Sequence, residues 1–383
     1  MKISSLLILL LICLGSCSNG NRTDRGEAAE TAIDFGPTRR LGNADLLQDI
    51  RLISLQTDSN CLVGSIDQIE WFDHQIYLLD GSRERTLYRF SETGQFIDKI
   101  VPGEGNGQFL MPFSFQIDSA GQRLIVKDVT KNYLLTYDLQ SLAFTGKIEI
   151  AGQPVSFGLL PSSDRIAYYH LTQTEDLPWL FSYQDTAGHI LRSFLSPPAY
   201  TPIFHGKRCV FYTYRDQLHG FPYFENKIYT FDADSARLKY TLAFGAFEWP
   251  ENDFFRKFQH NTKVIGEELL HSGKIRMMEP YETDEMLLVK YYIGKEIYLG
   301  GYDKNTRRTV NLKADEIKDE IGLGAFPAPK GVYGSYFVSA ISRDDLSDRE
   351  KRFYPQLSAL IEQSSEGDNP VICLYRFHIP EDY

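Results

Sequence analysis

The chain has 383 residues, of which 43% are hydrophobic, 24% charged and 13% aromatic, a balance that excludes a disordered, collagen-like or polytopic membrane protein. Forty Lys and Arg against 51 Asp and Glu leave a formal net charge of −11, which argues against a nucleic-acid binder, whose affinity comes from a basic footprint. Aromatic enrichment (Tyr 23, Phe 25) at ordinary hydrophobicity leans towards β structure.

The first residues read Lys2, then an apolar and small run from Ile3 to Gly15, then Ser16-Cys17 and a polar stretch. This is the pattern of an export signal, and the run falls short of the roughly 20 residues a spanning helix needs. Leu14-Gly15-Ser16-Cys17 resembles the bacterial lipobox. On that resemblance residues 1–16 are a signal peptide, Cys17 receives the acyl chains, and the protein sits in the cell envelope. Ser18-Asn19 lacks the Asp that retains some lipoproteins at the inner membrane, which favours the outer membrane. Residues 17–45, rich in Gly, Asn, Thr, Glu and Ala with little periodicity, read as a flexible tether, and 46–383 as the folded body. Cys61, Cys209 and Cys373 remain, an odd number without CxxC spacing, so they read as buried small hydrophobes with no disulfide framework or zinc site.

A short apolar strand recurs along the body: IYLLD (76–80), LIVKD (124–128), IAYYH (166–170), VFYTY (210–214), LLVKY (287–291) and YFVSA (336–340). Each is followed by a strand ending in an aromatic: Phe90, Tyr137, Tyr183, Phe231, Tyr302 and Tyr375. Polar turns such as SETG (91–94) and DKNT (303–306) then lead into a further strand. Four strands per unit, repeated six times, predict an all-β, six-bladed propeller. DIRLISLQ (49–56) has no blade of its own, and the last unit ends with VICLYRFHI (371–379). The N-terminal strand is therefore predicted to complete the last blade, sealing the ring's open edges.

Residues 103–138 (GEGNGQFLMPFSFQIDSAGQRLIVKDVTKNYLLTYD) resemble an NHL repeat in their Gly-rich opening, Gln-Phe, Pro112, Ile-Asp, Gly121, the strand ending in Asp128 and the aromatic-Asp close. With residues 62–100 and the lipobox, the chain is similar to the NHL-like six-bladed propeller lipoproteins of Bacteroidetes. That resemblance implies a fold and an envelope address, and little chemistry.

Propeller connections alternate between two faces, and here one set is short (73–75, 91–94, 119–122, 184–188). The other is long: 171–179, 196–206, 215–226, 245–274 and roughly 341–370, where 343–363 has near-helical apolar spacing and predicts a helical insertion in the last blade. Insertions in repeat proteins commonly gather on the binding face. Aligned as second strands, the six segments put Asp80, Asp128, His170, Tyr214 and Tyr291 at equivalent ends, with Arg83, Lys131, Arg215 and Lys295 in adjoining loops. Converging polar and aromatic groups at a concave mouth are a candidate ligand face. Asp138, Asp232 and Asp303, just after a strand, read as turn formers. Asp118-Ser119-Ala120, Asp185-Thr186-Ala187 and Asp234-Ser235-Ala236 match a short O-glycosylation pattern at Ser119, Thr186 and Ser235, and also lie where turns are expected.

No GxSxG elbow or HExxH occurs, and no cofactor or metal is implied. The first reading is a lipid-anchored binding or scaffold module for a peptide, glycan or envelope protein. Loop aromatics (Trp179, Tyr200, Phe221, Tyr223, Trp249) suit that role or the packing of the loops themselves. A metal-dependent lactonase or lyase around Asp80, Asp128 and His170 is the competing reading, and a structural subunit of an envelope complex the third.

Overall fold

The computed structural model describes residues 30–382 apart from 162, 172–176, 198–208, 259–261, 319–325 and 343–366. Six antiparallel sheets follow one another, each starting from its innermost strand. Blade 1 comprises Gln68–Phe72, Gln75–Asp80, Thr86–Ser91 and Phe96–Ile100. Blade 2 runs Pro112–Asp118, Arg123–Asp128, Tyr133–Asp138 and Phe144–Glu149, and blade 3 Ser156–Leu159, Ile166–Tyr169, Phe181–Gln184 and Ile190–Phe194. Blade 4 is Phe211–Tyr214, Gln217–Gly220, Lys227–Phe231 and Ala236–Ala243. Blade 5 is Ile275–Glu282, Met286–Ile293, Glu296–Asp303 and Thr309–Lys313.

Blade 6 takes only three strands from its own unit, Gly331–Tyr333, Tyr336–Ile341 and Val371–Phe377. Its fourth is Leu47–Ser54, which pairs antiparallel with Val371–Phe377 in the register Val371↔Ser54, Ile372↔Ile53, Cys373↔Leu52. The ends of the chain therefore close the ring, as the orphan strand predicts. Asn369 locks the join: it accepts from the Val63 amide (2.7 Å) and donates to the carbonyls of Gln56 (2.7 Å) and Cys61 (2.6 Å).

Outside blade 4 the second strands are packed between neighbouring blades and read as apolar runs; in blade 1 Ile76 to Asp80 are all buried. The third-strand aromatics Phe90, Tyr137, Tyr183, Phe231 and Tyr375 sit in the packing between blades. The GEGNGQF segment is a blade connection: Tyr137 donates its hydroxyl to the Gly107 carbonyl at 2.8 Å. Gly107 has φ +79°, and a Cβ there would lie 2.2 Å from the Phe144 ring, so only glycine fits. Asp138, Asp232 and Asp303 accept the amides of Ser141, of Asp234 and Ser235, and of Asn305 and Thr306, as turn chemistry predicts. Cys61, Cys209 and Cys373 are buried free thiols.

Two expectations need correction. Residues 17–45 are not a tether throughout. Thr31–Asp34 adds a parallel fifth strand to the outer edge of blade 4, and Thr38–Arg39 does the same on blade 5. Buried Ile33, Phe35 and Leu41 hold this strap, and the missing side chain of Gly300 leaves room for the Phe35 ring, 2.6 Å from where a Cβ would stand. Three apolar anchors in a polar stretch are too few to register as periodicity. Second, VFYTY is the innermost strand of blade 4, not its second. Arg215 and Asp216, with φ 48° and 52°, reverse the chain directly into Gln217–Gly220, a strand whose sequence has no β-branched or aromatic run. The long connection 245–274 lies between blades 4 and 5 as expected and carries helices Asn252–Arg256 and Thr262–His271, with Phe255 and Leu269 in a small apolar cluster of their own. The helical insertion predicted at 343–363 lies outside the described residues, as do residues 1–29 with Cys17.

Candidate functional site

The strand order assigns the short turns to one face, here the hairpin face, and the interblade and second-to-third-strand connections to the other, the loop face. Asp80 and Asp128 occupy equivalent ends on the loop face. Both are completely buried and locally committed. Asp80 accepts from the amides of Gly64 (2.8 Å), Ser65 (2.9 Å) and Arg83 (2.9 Å) and from the Ser65 hydroxyl (2.9 Å). Asp128 accepts from the amides of Leu110 (2.6 Å), Met111 (3.3 Å) and Thr130 (2.7 Å) and from the Thr130 hydroxyl (2.7 Å). Burial alone would raise the Asp128 carboxyl, but these donors hold it below the ordinary carboxylate range. Each carboxylate thus ties the lead-in of its blade's first strand to the end of the second.

His170 takes the same place in blade 3, buried, with Nε2 2.8 Å from Ser182 Oγ. Burial pulls its imidazole down to about 4, so it is neutral at pH 7. Arg83 and Lys295 are exposed in loop-face turns, and Lys131 is half-buried in another. Tyr291 lies within its strand rather than at the end. It stacks on Tyr298 (5.3 Å between centroids) and donates its hydroxyl to Asn311 at 2.6 Å, while Asn311 Nδ2 holds the Gly36 carbonyl of the strap at 3.0 Å. Because of the blade 4 shift, Tyr214 and Arg215 lie on the hairpin face, where Arg215 pairs with exposed Asp284 at 2.7 Å. Among the described residues no three His, Cys, Asp or Glu side chains are placed to hold one metal ion.

The loop aromatics divide. Phe221 is buried, Tyr223 packs edge-on against Tyr169, and Trp249 against Phe244, so these seat their loops on the propeller. Trp179 is 39% exposed, and on the same face Leu62, Val101, Met111 and Val129 are exposed in connections of blades 1 and 2. Tyr200 lies outside the described residues. Ser119, Thr186 and Ser235 all fall in hairpin-face turns. Ser119 and Thr186 are exposed, whereas the Ser235 hydroxyl donates to Asp232 at 2.9 Å.

The central channel forms a cavity of about 490 Å3 bounded by the innermost strands of blades 1, 2, 4, 5 and 6. Its wall carries charge that the loop-face reading missed. On blade 5, Glu279 pairs with Lys290 at 2.8 Å and accepts the Tyr281 hydroxyl at 2.6 Å, while Lys290 also donates to the Pro329 carbonyl at 3.0 Å. Although burial acts to lower it, Glu279 holds the Lys290 ammonium above its ordinary value. Across the blade 4–5 boundary, Glu282 sits between Lys239 (2.9 Å) and Lys304 (2.8 Å) and accepts hydroxyls from Tyr212 and Tyr240, both at 2.9 Å. Burial would raise Glu282, but the two ammonium groups hold it low, and burial pulls Lys239 down to about 8. Lys239 also lies 3.2 Å from His219, whose imidazole burial draws down to about 3. On blade 1, Gln68 Nε2 donates to Glu70 at 2.6 Å and is its one hydrogen-bond partner among the described residues. Burial pushes the Glu70 carboxyl up to about 7. The signal in the sequence was a charged residue inside an otherwise apolar strand, as in QIEWF and MLLVKYYI.

Similarity to known proteins agrees with this architecture. The crystal structure of a "Putative exported protein" from Bacteroides fragilis NCTC 9343 matches with a TM-score of 0.83 at 22% identity, over 91% of this chain and 100% of that one. The crystal structure of a member of the duf4221 family from Bacteroides vulgatus ATCC 8482 matches with a TM-score of 0.54 at 10% identity, over 87% and 97%. At these identities the likeness is one of fold. No curated protein matches the chain. The family model described as a domain of unknown function (DUF4934) matches residues 30–376, from the strap to the third strand of blade 6, and the chain belongs to that family.

Proposed function

We propose that the protein is a lipid-anchored envelope propeller that works as a binding module, with its ligand entering the central channel. The observation that carries this reading is the channel wall. A ring needs apolar packing between blades, yet its innermost strands leave about 490 Å3 walled by carboxylates, lysines and tyrosines, a size and composition suited to a ligand pocket. Exposed Leu62, Val101, Met111, Val129 and Trp179 on the loop face supply apolar contact for a peptide, glycan or envelope-protein partner at that rim. The enzyme alternative finds less support, since Asp80 and Asp128 each serve four local donors and His170 is bonded within its own blade.

The envelope address rests on the lipobox ending at Cys17 and on the absence of an inner-membrane retention signal at Ser18-Asn19. The description of the Bacteroides fragilis neighbour as exported is in keeping with it. Among the described residues no helix is long and apolar enough to cross a membrane. Ser119 and Thr186, exposed in hairpin-face turns, are the better placed of the three glycosylation candidates.

The test is a ligand screen of the purified protein by thermal shift, with amino acids, short peptides and oligosaccharides, repeated on Thr213→Trp. Thr213 is exposed and lines the channel, so a bulky side chain there obstructs the cavity without entering the core. Hits that vanish in the plugged variant support the channel reading, and hits that persist refute it. For the anchor, radiolabelled palmitate should enter the native protein and not Cys17→Ser.

A further inference from the structure

We infer that the channel takes an organic cation, an amine or guanidinium group, with Glu70 as its counter-ion. This rests on reading the channel as a binding site.

The argument starts from the charge partners of the acids in the wall. Glu282 is neutralised by Lys239 and Lys304, and Glu279 by Lys290. Asp67 accepts the Gly81 amide at 2.9 Å. Glu70 differs: among the described residues no Lys, Arg or His reaches it, and its one donor is the neutral Gln68 amide. That amide is itself shared, since Gln68 Nε2 also donates to the Phe115 carbonyl at 2.7 Å and Gln68 Oε1 accepts the Phe115 amide at 3.0 Å. Gln68 is therefore fixed as a clamp between blades 1 and 2 and cannot turn to serve both carboxylate oxygens.

A desolvated carboxylate without a cation is unfavourable, and a fold that keeps one in a cavity either holds it neutral or leaves it to a charge supplied from outside. Burial raises Glu70 to about 7, so near neutral pH it ionises readily when a cation arrives. The cavity far exceeds what a bare ion needs, and no cluster of three metal-ligating side chains faces it among the described residues. The same wall also carries Trp71, on the other face of the strand from Glu70 and stacked on Tyr333 at 5.1 Å, and Phe211, Tyr212, Tyr281 and Tyr292 among aliphatic residues, with Lys290 lying over Tyr281 and Tyr292. Aromatic rings and a lone carboxylate lining one cavity suit an organic cation. The lysines of the wall are held elsewhere, Lys290 on Glu279 and Pro329, and Lys330 on the Ile66 carbonyl at 3.0 Å.

The cation is either a free small molecule or a Lys or Arg side chain of a partner. Calorimetric titration at pH 8 separates these sources, using phenethylamine and agmatine, the capped peptides Gly-Lys-Gly and Gly-Arg-Gly, and 3-phenylpropionate as a shape-matched anion. At least one cation should bind and the anion should not, and Glu70→Gln should weaken binding tenfold or more. Glu70→Gln keeps the shape and removes a half-buried acid that no cation balances, so its melting temperature should not fall. Tighter binding of the peptides than of agmatine assigns a side chain, and the reverse a free amine. Equal affinity in wild type and Glu70→Gln overturns the inference, as does preference for the anion or no response to any cation. If the Thr213→Trp plug still abolishes other screening hits in that event, the channel reading survives; if it leaves them unchanged, both fall.

Discussion

Replacing Asp128 by Asn separates a structural carboxylate from a ligand-binding one. The side chain is completely buried and serves three amides and one hydroxyl at 2.6 to 3.3 Å. One oxygen takes both Thr130 donors and the other takes Leu110 and Met111. An Asn keeps one of these oxygens and turns an NH2 towards the other pair; set towards Thr130, its NH2 is accepted by the rotated hydroxyl and leaves the Thr130 amide facing a donor, the least costly arrangement. A buried donor without an acceptor costs roughly 1–3 kcal/mol, which predicts a loss of about 1–3 kcal/mol at pH 7. The loss should also depend on pH. The wild-type carboxyl lies below its unfolded value, so its stabilising contribution is present above about pH 4 and fades as pH falls through the lower folded value. The gap between wild type and variant should therefore narrow on acidification below about pH 4. Equilibrium urea unfolding across pH, with the slope checked to be unchanged, measures both effects. A loss under about 0.5 kcal/mol at pH 7 would refute the reasoning and return Asp128 to the pool of ligand-binding candidates.

Asn369→Ala should lower stability by about 2–4 kcal/mol, because it strips the Val63 amide and the Gln56 and Cys61 carbonyls of a buried partner; urea midpoints and amide exchange in Leu47–Ser54 report it. Glu282→Gln leaves Lys239 and Lys304 without their anion and should cost about 3–5 kcal/mol, whereas replacing all three charges by Met should recover most of the loss. The same denaturation assay decides, and a triple variant worse than the single one would contradict the account. On acidification from about pH 6.5 towards 4 the unfolded chain takes up a proton that folded His170 refuses, so stability should fall by up to about 3 kcal/mol over that window. His170→Gln should make that limb shallower, with buried His219 sustaining the remainder, and an unchanged pH profile would exclude His170 as a source.

The propeller was legible because its signal is periodic. Phe90, Tyr137, Tyr183 and Phe231 recur in the third strand of successive blades, and a strand without a blade at one end of the body matched a blade without a strand at the other. Blade 4 was misread because Gln217–Gly220 is too short and polar to announce itself, and that one omission moved Tyr214 and Arg215 to the wrong face. The strap was hidden because its fixing comes from backbone pairing with edges 200 or more residues away, such as Thr31 with Tyr240, which no local pattern encodes. The loop-face Asp residues were located correctly at their strand ends, yet residue type alone could not distinguish a carboxylate awaiting a ligand from one saturated by its own blade. Glu70 escaped notice for the converse reason: what marks it is that no cation reaches it among the described residues, and that is visible only once the neighbours are assembled.

The strap also has a mechanical reading. Thr31–Asp34 and Thr38–Arg39 grip the rims of blades 4 and 5 before the chain reaches Leu47–Ser54, the strand on which closure of the ring depends. A pull arriving through residue 30 therefore meets two short strand pairs, with Phe35 wedged behind them, ahead of the closing strand. The elements are loaded in series, and the outermost are the smallest. Tension would peel the strap first and dissipate there, leaving blade 6 and the channel geometry intact until that reserve is exhausted.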